Sequence, residues 1–218
     1  CGVNCGIMDQ FASVFGKESC LMRLDCRSLE YAYYPFHAAD HGYKLVLLNS
    51  KVKHELVDSP YNKRRESCER VAKQLGVETL RDADMAMLDA ARGSISDEDY
   101  KRARYVIGEK QRVLDVCEAL EKNDFATVGE RMYQTHEGLS QDYEVSCEEL
   151  DFLNNVAREC GVTGSRIMGG GFGGCTINLV RDDKYDAFIA TAKQKFNDKY
   201  GHEPEVIPVV ISEGAHKL

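Results

Sequence analysis

Two short stretches of the sequence concentrate residues able to do chemistry. The first, "SRIMGGGFGGCTINLV" at 165–180, places Gly169, Gly170, Gly171, Gly173 and Gly174 within six positions. Backbone stripped of side chains in this way can approach a phosphate group or another loop closely. Gly169, Gly171 and Gly174 also satisfy the dinucleotide-binding pattern G-x-G-x-x-G. That turn must follow a strand and open a helix whose N-terminus faces the pyrophosphate. Here Thr176, Ile177, Leu179 and Val180 favour a strand, so the match is accidental and the run is expected to join two strands. No G-K-[ST] follows, which excludes a Walker loop. A flexible hairpin turn is the plain alternative, but such a turn needs one or two glycines and each additional one costs chain entropy.

The second stretch is "GVNCGIMDQFASVFG" at 2–16. Gly2 and Gly6 precede an amphipathic segment carrying Phe11, Val14 and Phe15, so Asp9 falls in the first turn of a helix. A carboxylate there has two readings. It stabilises the positive end of the helix dipole by about 0.3–1 kcal/mol, or, beside a cationic partner in a cleft, it stays ionised and accepts a proton from a substrate. Composition does not choose between them. His37 and His41 have a spacing that binds metal on a helix, but Pro35, Asp40 and Gly42 predict a loop. His54 reads as structural. Arg64 and Arg65 can face phosphate, yet among Lys63, Glu66 and Glu69 they read as a solvated or paired helix surface. Tyr61 has the ordinary reading of a packing residue at the start of that helix.

The elements that must position these residues follow from periodicity. Residues 20–36 alternate apolar and polar positions and predict two short antiparallel strands around a turn near Arg27 and Ser28. "YKLVLLN" at 43–49 reads as a buried strand. Residues 60–75 place Cys68, Val71, Ala72 and Leu75 on one helical face, with Gly76 closing the helix. A long helix is expected from Ser96 to Asn123, with Ala103, Val106, Ile107, Val113, Leu114, Cys117 and Leu120 as its apolar stripe, and a partner helix over 124–138. Ser146 and Glu149 have capping-box spacing ahead of Leu150, Leu153, Val156, Ala157 and Cys160, and Gly161 ends that helix. A helix from about Asp183, carrying Phe188, Ile189, Ala192 and Phe196, and the strand "EVIPVVI" at 205–211 complete the chain. From residue 43 onward the order is strand, helices, strand, strand, helix, strand. This is the split β-α-β plan of ferredoxin-like domains with helices inserted in the first crossover.

Composition bounds the function. The 218 residues, 43% of them hydrophobic, can bury a core, and at roughly 150 residues per domain they hold one large domain or one and a part. The balance of 28 basic and 36 acidic residues gives a net charge of −8 without a basic block, which excludes a nucleic-acid partner. No apolar run approaches the roughly 20 residues needed to span a bilayer, and the expected location is the cytoplasm. Nine scattered cysteines with no C-x-x-C pair read mostly as reduced core residues. The chain opens at Cys1 with no initiating methionine and no first strand, so it is expected to be part of a longer protein.

"CGIMDQF" with its Asp9, "NSKVKHELVDSPYNKRRESC" at 49–68, "VSCEELDFL" at 145–153 and "SRIMGGGFGGC" at 165–175 together resemble the galactokinases, a family of GHMP small-molecule kinases. The resemblance covers nearly the whole chain. It implies an α+β, two-domain GHMP kinase fold. Residues 1–50 would be the C-terminal part of an incomplete N-terminal ATP- and sugar-binding domain, and residues 51–218 the ferredoxin-like C-terminal domain with its inserted helices. It also implies ATP-dependent phosphorylation of the anomeric hydroxyl of galactose to galactose 1-phosphate.

Under this resemblance Asp9 matches the catalytic aspartate that accepts or orients the proton of the sugar hydroxyl. Gly6 matches the glycine whose backbone lies against the sugar, and Tyr61 the tyrosine whose phenol meets a sugar hydroxyl. The run Gly169, Gly170, Gly171, Gly173 and Gly174 matches the motif that packs beside the phosphate-binding loop. The family's first motif, with its arginine facing the aspartate, and its Gly- and Ser-rich phosphate loop find no match in this chain. The Ser and Glu associated with Mg2+ are also unmatched, so no metal ligand is assigned here and the chain alone is expected to be inactive. A related sugar kinase acting on N-acetylgalactosamine and a catalytically silent sugar sensor are the alternatives.

Overall fold

The computed structural model describes residues 6–53 and 60–215, the side chains of residues 60 and 61 excepted. Helix α1 (Met8–Phe15) leads into a hairpin of β1 (Cys20–Leu24) and β2 (Tyr31–Pro35), paired from Cys20↔Pro35 to Leu24↔Tyr31. The Asp25 carboxylate accepts from the Arg27 amide (3.0 Å) and so tightens the expected turn. Strand β3 (Tyr43–Asn49) follows, then α2 (Pro60–Leu75), α3 (Met85–Ala90), α4 (Asp97–Glu121), α5 (Phe125–Gln141) and α6 (Glu148–Glu159). Strands β4 (Gly164–Met168) and β5 (Cys175–Arg181), helix α7 (Asp182–Tyr200) and strand β6 (Glu205–Pro208) end the fold.

The larger sheet runs β4-β5-β3-β6, with every neighbouring pair antiparallel. This is the order a split β-α-β plan requires, because β4 reaches the far edge through the helical crossover and β5 fills the place between it and β3. Strand β3 lies inside this sheet, so sheet membership runs across the division expected after residue 50.

The sheet is covered on both faces. On one, Val46, Leu48 and Val180 pack with Leu153, Val156 and Ala157 of α6 and with Phe188, Ala192 and Phe196 of α7. The spacing 188, 192, 196 lays three inward side chains along a single helical face. On the other, Leu179 packs with Ala119 and Leu120 of α4 and with Phe125 and Val128 of α5. A third cluster, Val71, Ala72, Leu88, Ala103 and Ile107 among them, joins α2, α3 and α4.

Several expectations require correction. Val113 and Leu114 are exposed, as the sheet-facing side of α4 turns to Val116, Cys117 and Leu120 in its second half. The N-cap of α6 is Cys147, and the Ser146 hydroxyl turns instead to Asp151 (2.5 Å), so no capping box forms. Strand β6 ends at Pro208, beyond which, among the described residues, only the Val209 amide still donates to β3, at the Leu45 carbonyl (3.2 Å), and Val210 is exposed. Of the seven described cysteines only Cys117 is buried, and all seven are free thiols. Helix α3 was not foreseen, although Asp84 caps it by accepting from the Met87 amide (2.8 Å).

Candidate active site

The glycine run connects β4 to β5 as a backbone-lined loop. Gly169, Gly171, Gly173 and Gly174 all have positive φ, and Phe172 between them sits at φ +60. Two positions show why side chains are missing. A Cβ on Gly171 would lie 2.1 Å from the Val145 carbonyl oxygen, and one on Gly173 would lie 2.6 Å from that of Val52. Both contacts are with backbone, which cannot move aside cheaply.

Hydrogen bonds fix the run from two directions. On one side the Phe172 amide donates to the Val145 carbonyl (2.6 Å). On the other, the Gly174 amide donates to Val52 (3.2 Å), while the amide and hydroxyl of Ser50 both donate to the Gly174 carbonyl (2.9 and 2.8 Å). Sequence reasoning did not foresee either support as a partner of the run, although Ser50, Val52 and Val145 all lie in stretches that carry the family resemblance. A helix does not begin at Gly173 or Gly174, so the dinucleotide pattern has no helix N-terminus to work with.

The support at 143–146 is itself held by polar groups, among them a buried arginine. Arg64 is 7% exposed and donates to the backbone carbonyls of Tyr143 and Glu144, the latter at 2.6 Å. The solvated-surface reading of Arg64 is therefore corrected, and so is the phosphate-facing one, since the guanidinium is spent on carbonyls; Arg65 is exposed and pairs with Glu69 at 2.8 Å. Burial, and after it the neighbouring Arg102, push the Arg64 guanidinium below its ordinary pKa. Beyond this loop, Asp151 collects hydrogen bonds from Ser146 (2.5 Å), Ser140 (2.9 Å) and His136 Nε2 (3.1 Å). Burial works against its charge, but His136, Ser146 and Ser140 outweigh it and hold the carboxyl below the usual range.

The second stretch stands apart in character. Asp9 lies in the first turn of α1 and is exposed, as is Gly6. Helix α1 buries none of its residues, and Met8, Val14 and Phe15 are exposed. It is anchored at its C-terminal end, where Tyr33 Oη donates to the Phe15 carbonyl (2.6 Å), Phe11 stacks on Phe15, and the amides of Gly214 and Ala215 donate to Gly16 (2.8 Å) and Ser13 (2.7 Å). No described contact joins Asp9 to the glycine run. Tyr61 belongs to the first turn of α2, but its side chain, like His54, lies outside the described residues.

His41 closes a short helical turn and faces Phe125, and His37 stands 3.7 Å from Asp40. Among the described residues no three His, Cys, Asp or Glu side chains stand together as a metal site. No helix among them is long and apolar enough to cross a membrane.

Comparison with known proteins extends this picture. Residues 117–198 match the family model described as GHMP kinases C terminal. The galactokinase of Clostridium acetobutylicum is 43% identical over all of this chain and 57% of its own length. Human galactokinase is 45% identical over 82% of this chain and 45% of its own. The crystal structure of Lactococcus lactis galactokinase complexed with galactose superposes with a TM-score of 0.92 at 32% identity, covering the whole chain and 57% of that protein. At 19% identity and a TM-score of 0.54, the L. major mevalonate kinase complexed with R-mevalonate shares the fold. The chain thus spans somewhat more than half the length of the bacterial galactokinases it matches. The chain carries a GHMP kinase C-terminal family domain over residues 117–198 and is similar along its whole length to galactokinases.

Proposed function

We propose that this chain works as part of a galactokinase, transferring the γ-phosphoryl group of ATP to the anomeric hydroxyl of galactose. The observation that carries the reading is the superposition of the entire chain on the galactose-bound Lactococcus lactis enzyme. In this reading Asp9 accepts or orients the proton of the anomeric hydroxyl as its oxygen attacks the γ-phosphorus, and ADP leaves with the electrons of the broken bond. Gly6 offers backbone to the sugar, and the Tyr61 phenol binds one of its hydroxyls. The glycine run braces the loop that holds the ATP phosphates. Phosphoryl transfer depends on positioning and on stabilising spread-out negative charge, so these roles divide between placing sugar and placing phosphate.

Residues 1–50 would close the ATP- and sugar-binding domain and residues 51–218 would form the second domain, with β3 completing the sheet of the latter. Mg2+ would accompany ATP, held by residues beyond those assigned here. A kinase drawing on metabolic ATP would act in the cytoplasm. The test is to supply ATP and either galactose or N-acetylgalactosamine to a protein that holds this chain together with the further length its relatives have. The account expects phosphate on C1 of galactose, read by phosphorus NMR. Preference for N-acetylgalactosamine would move the assignment to a sister kinase, and binding of both ligands without turnover would favour a sensor.

A further inference from the structure

The loop that moulds the glycine run is held in a costly conformation. Glu144 has φ +53, a left-handed backbone that a residue with a Cβ adopts at a cost of about 1 kcal/mol. Its carbonyl and that of Tyr143 both accept from Arg64, across some 80 residues of sequence. The next residue, Val145, is buried and turns its carbonyl to the Phe172 amide in the middle of the run. The residue after that, Ser146, is tied to Asp151. A buried cation on α2 and a half-buried hydrogen-bond hub on α5 and α6 thus grip the two ends of a four-residue loop whose centre is in contact with the run.

Arg64 directs its hydrogen bonds at backbone: its ion pair with Glu144 stands at 3.8 Å, while the carbonyls of Tyr143 and Glu144 take the short contacts. Two donors of a rigid guanidinium on two consecutive carbonyls fix both the position and the twist of that peptide, which an ammonium on a flexible stem cannot do. The Val145 oxygen occupies the space a Gly171 side chain would need and accepts from the Phe172 amide, so displacing the loop disturbs the run.

We propose that Arg64 is a positioning residue for the glycine run, acting through the carbonyls of Tyr143 and Glu144 and the contact of Val145 with Phe172. This rests on the reading of the run as a brace for a nucleotide site, and it adds that the shape of the brace is set from α2. Arg64 touches neither sugar nor phosphate in this account.

The test pairs residue-resolved amide exchange with steady-state kinetics. In Arg64→Gln the Phe172 amide should exchange about tenfold faster or more, since charge-assisted hydrogen bonds of this kind contribute on the order of one decade or more each. The Phe188 amide, in the core of α7, should keep its rate. Arg64→Lys should fall between wild type and Arg64→Gln, and Ser146→Ala should move Phe172 in the same direction from the other end of the loop. In the complete kinase the KM for ATP should rise several-fold while the KM for galactose stays within about twofold. An unchanged Phe172 rate overturns the proposal, and so does equal acceleration of Phe172 and Phe188, which would make Arg64 a general prop of the fold. Fast Phe172 exchange with an unchanged KM for ATP would keep the positioning role and contradict the nucleotide reading of the run.

Discussion

The glycine run is held by backbone on both sides, with its own Phe172 buried and with Val145 and Ser50 buried against it, whereas α1, which carries Asp9, buries none of its residues. The run's geometry is imposed by its surroundings: left-handed φ values and carbonyls within van der Waals range leave a side chain nowhere to go. Asp9 is placed by helix formation and by a few bonds at the far end of α1. Under the proposed function, the difference separates two kinds of residue. Where backbone geometry is the function, substitution should be read in stability and loop order. Where a carboxylate is the function, substitution should be read in rate, with the fold untouched.

The sharpest contrast in stability sets a core phenylalanine against one on α1. Phe188→Ala empties a fully buried site between the sheet and α6 and should cost about 3–5 kcal/mol in urea unfolding. Phe15→Ala removes a ring that is 39% exposed and should cost less than about 1 kcal/mol. Comparable losses would mean that α1 is as much a part of the core as α7.

Next in size is a contrast within the run. Gly171→Ala meets both the Val145 oxygen and φ +82, and should destabilise by about 2–4 kcal/mol. Gly169→Ala meets only φ +83, with open space around it, and should cost about 1 kcal/mol. Gly6→Ala has neither obstacle and should leave the unfolding midpoint unchanged. If the three substitutions cost the same, the run is an ordinary turn and not a moulded loop.

The smallest effect is one of pH. Asp151 has a folded-state pKa below its ordinary value, so its contribution is complete above the unfolded carboxylate value near 3.9 and is lost as pH falls from there toward the folded value. Wild type and Asp151→Asn should therefore differ in stability at neutral pH and converge in acid. A difference that persists unchanged through that window would mean the carboxylate charge is irrelevant to the hub.

Much of this architecture was legible because it is local. Alternation marked the hairpin of β1 and β2, the run 43–49 marked β3 to its ends, and Pro60 and Gly76 bracketed α2. The role of the glycine run as a connection between antiparallel strands followed from the β-branched residues behind it. What stayed hidden was long-range. Nothing near Arg64 announces that its acceptors are carbonyls 79 and 80 residues away, and a Lys- and Glu-rich helix surface is the normal setting for an exposed arginine. Ser146 was misread for the same reason, since the capping spacing is local and its actual partner, Asp151, depends on how α5 packs on α6. Val113 and Leu114 continue a helical stripe that the sheet does not follow.

The claim that Asp9 carries the chemistry is tested most directly by Asp9→Asn in the complete kinase, with kcat and the two KM values measured beside Tyr61→Phe. The substitution keeps the size of the side chain and removes its charge, on a helix whose packing does not depend on it. The account predicts that kcat falls by about 10² to 10⁴ for Asp9→Asn with the KM for ATP little changed, as loss of a general base does, while Tyr61→Phe chiefly raises the KM for galactose. Equal and modest rises in KM for both variants, with kcat unchanged, would contradict it.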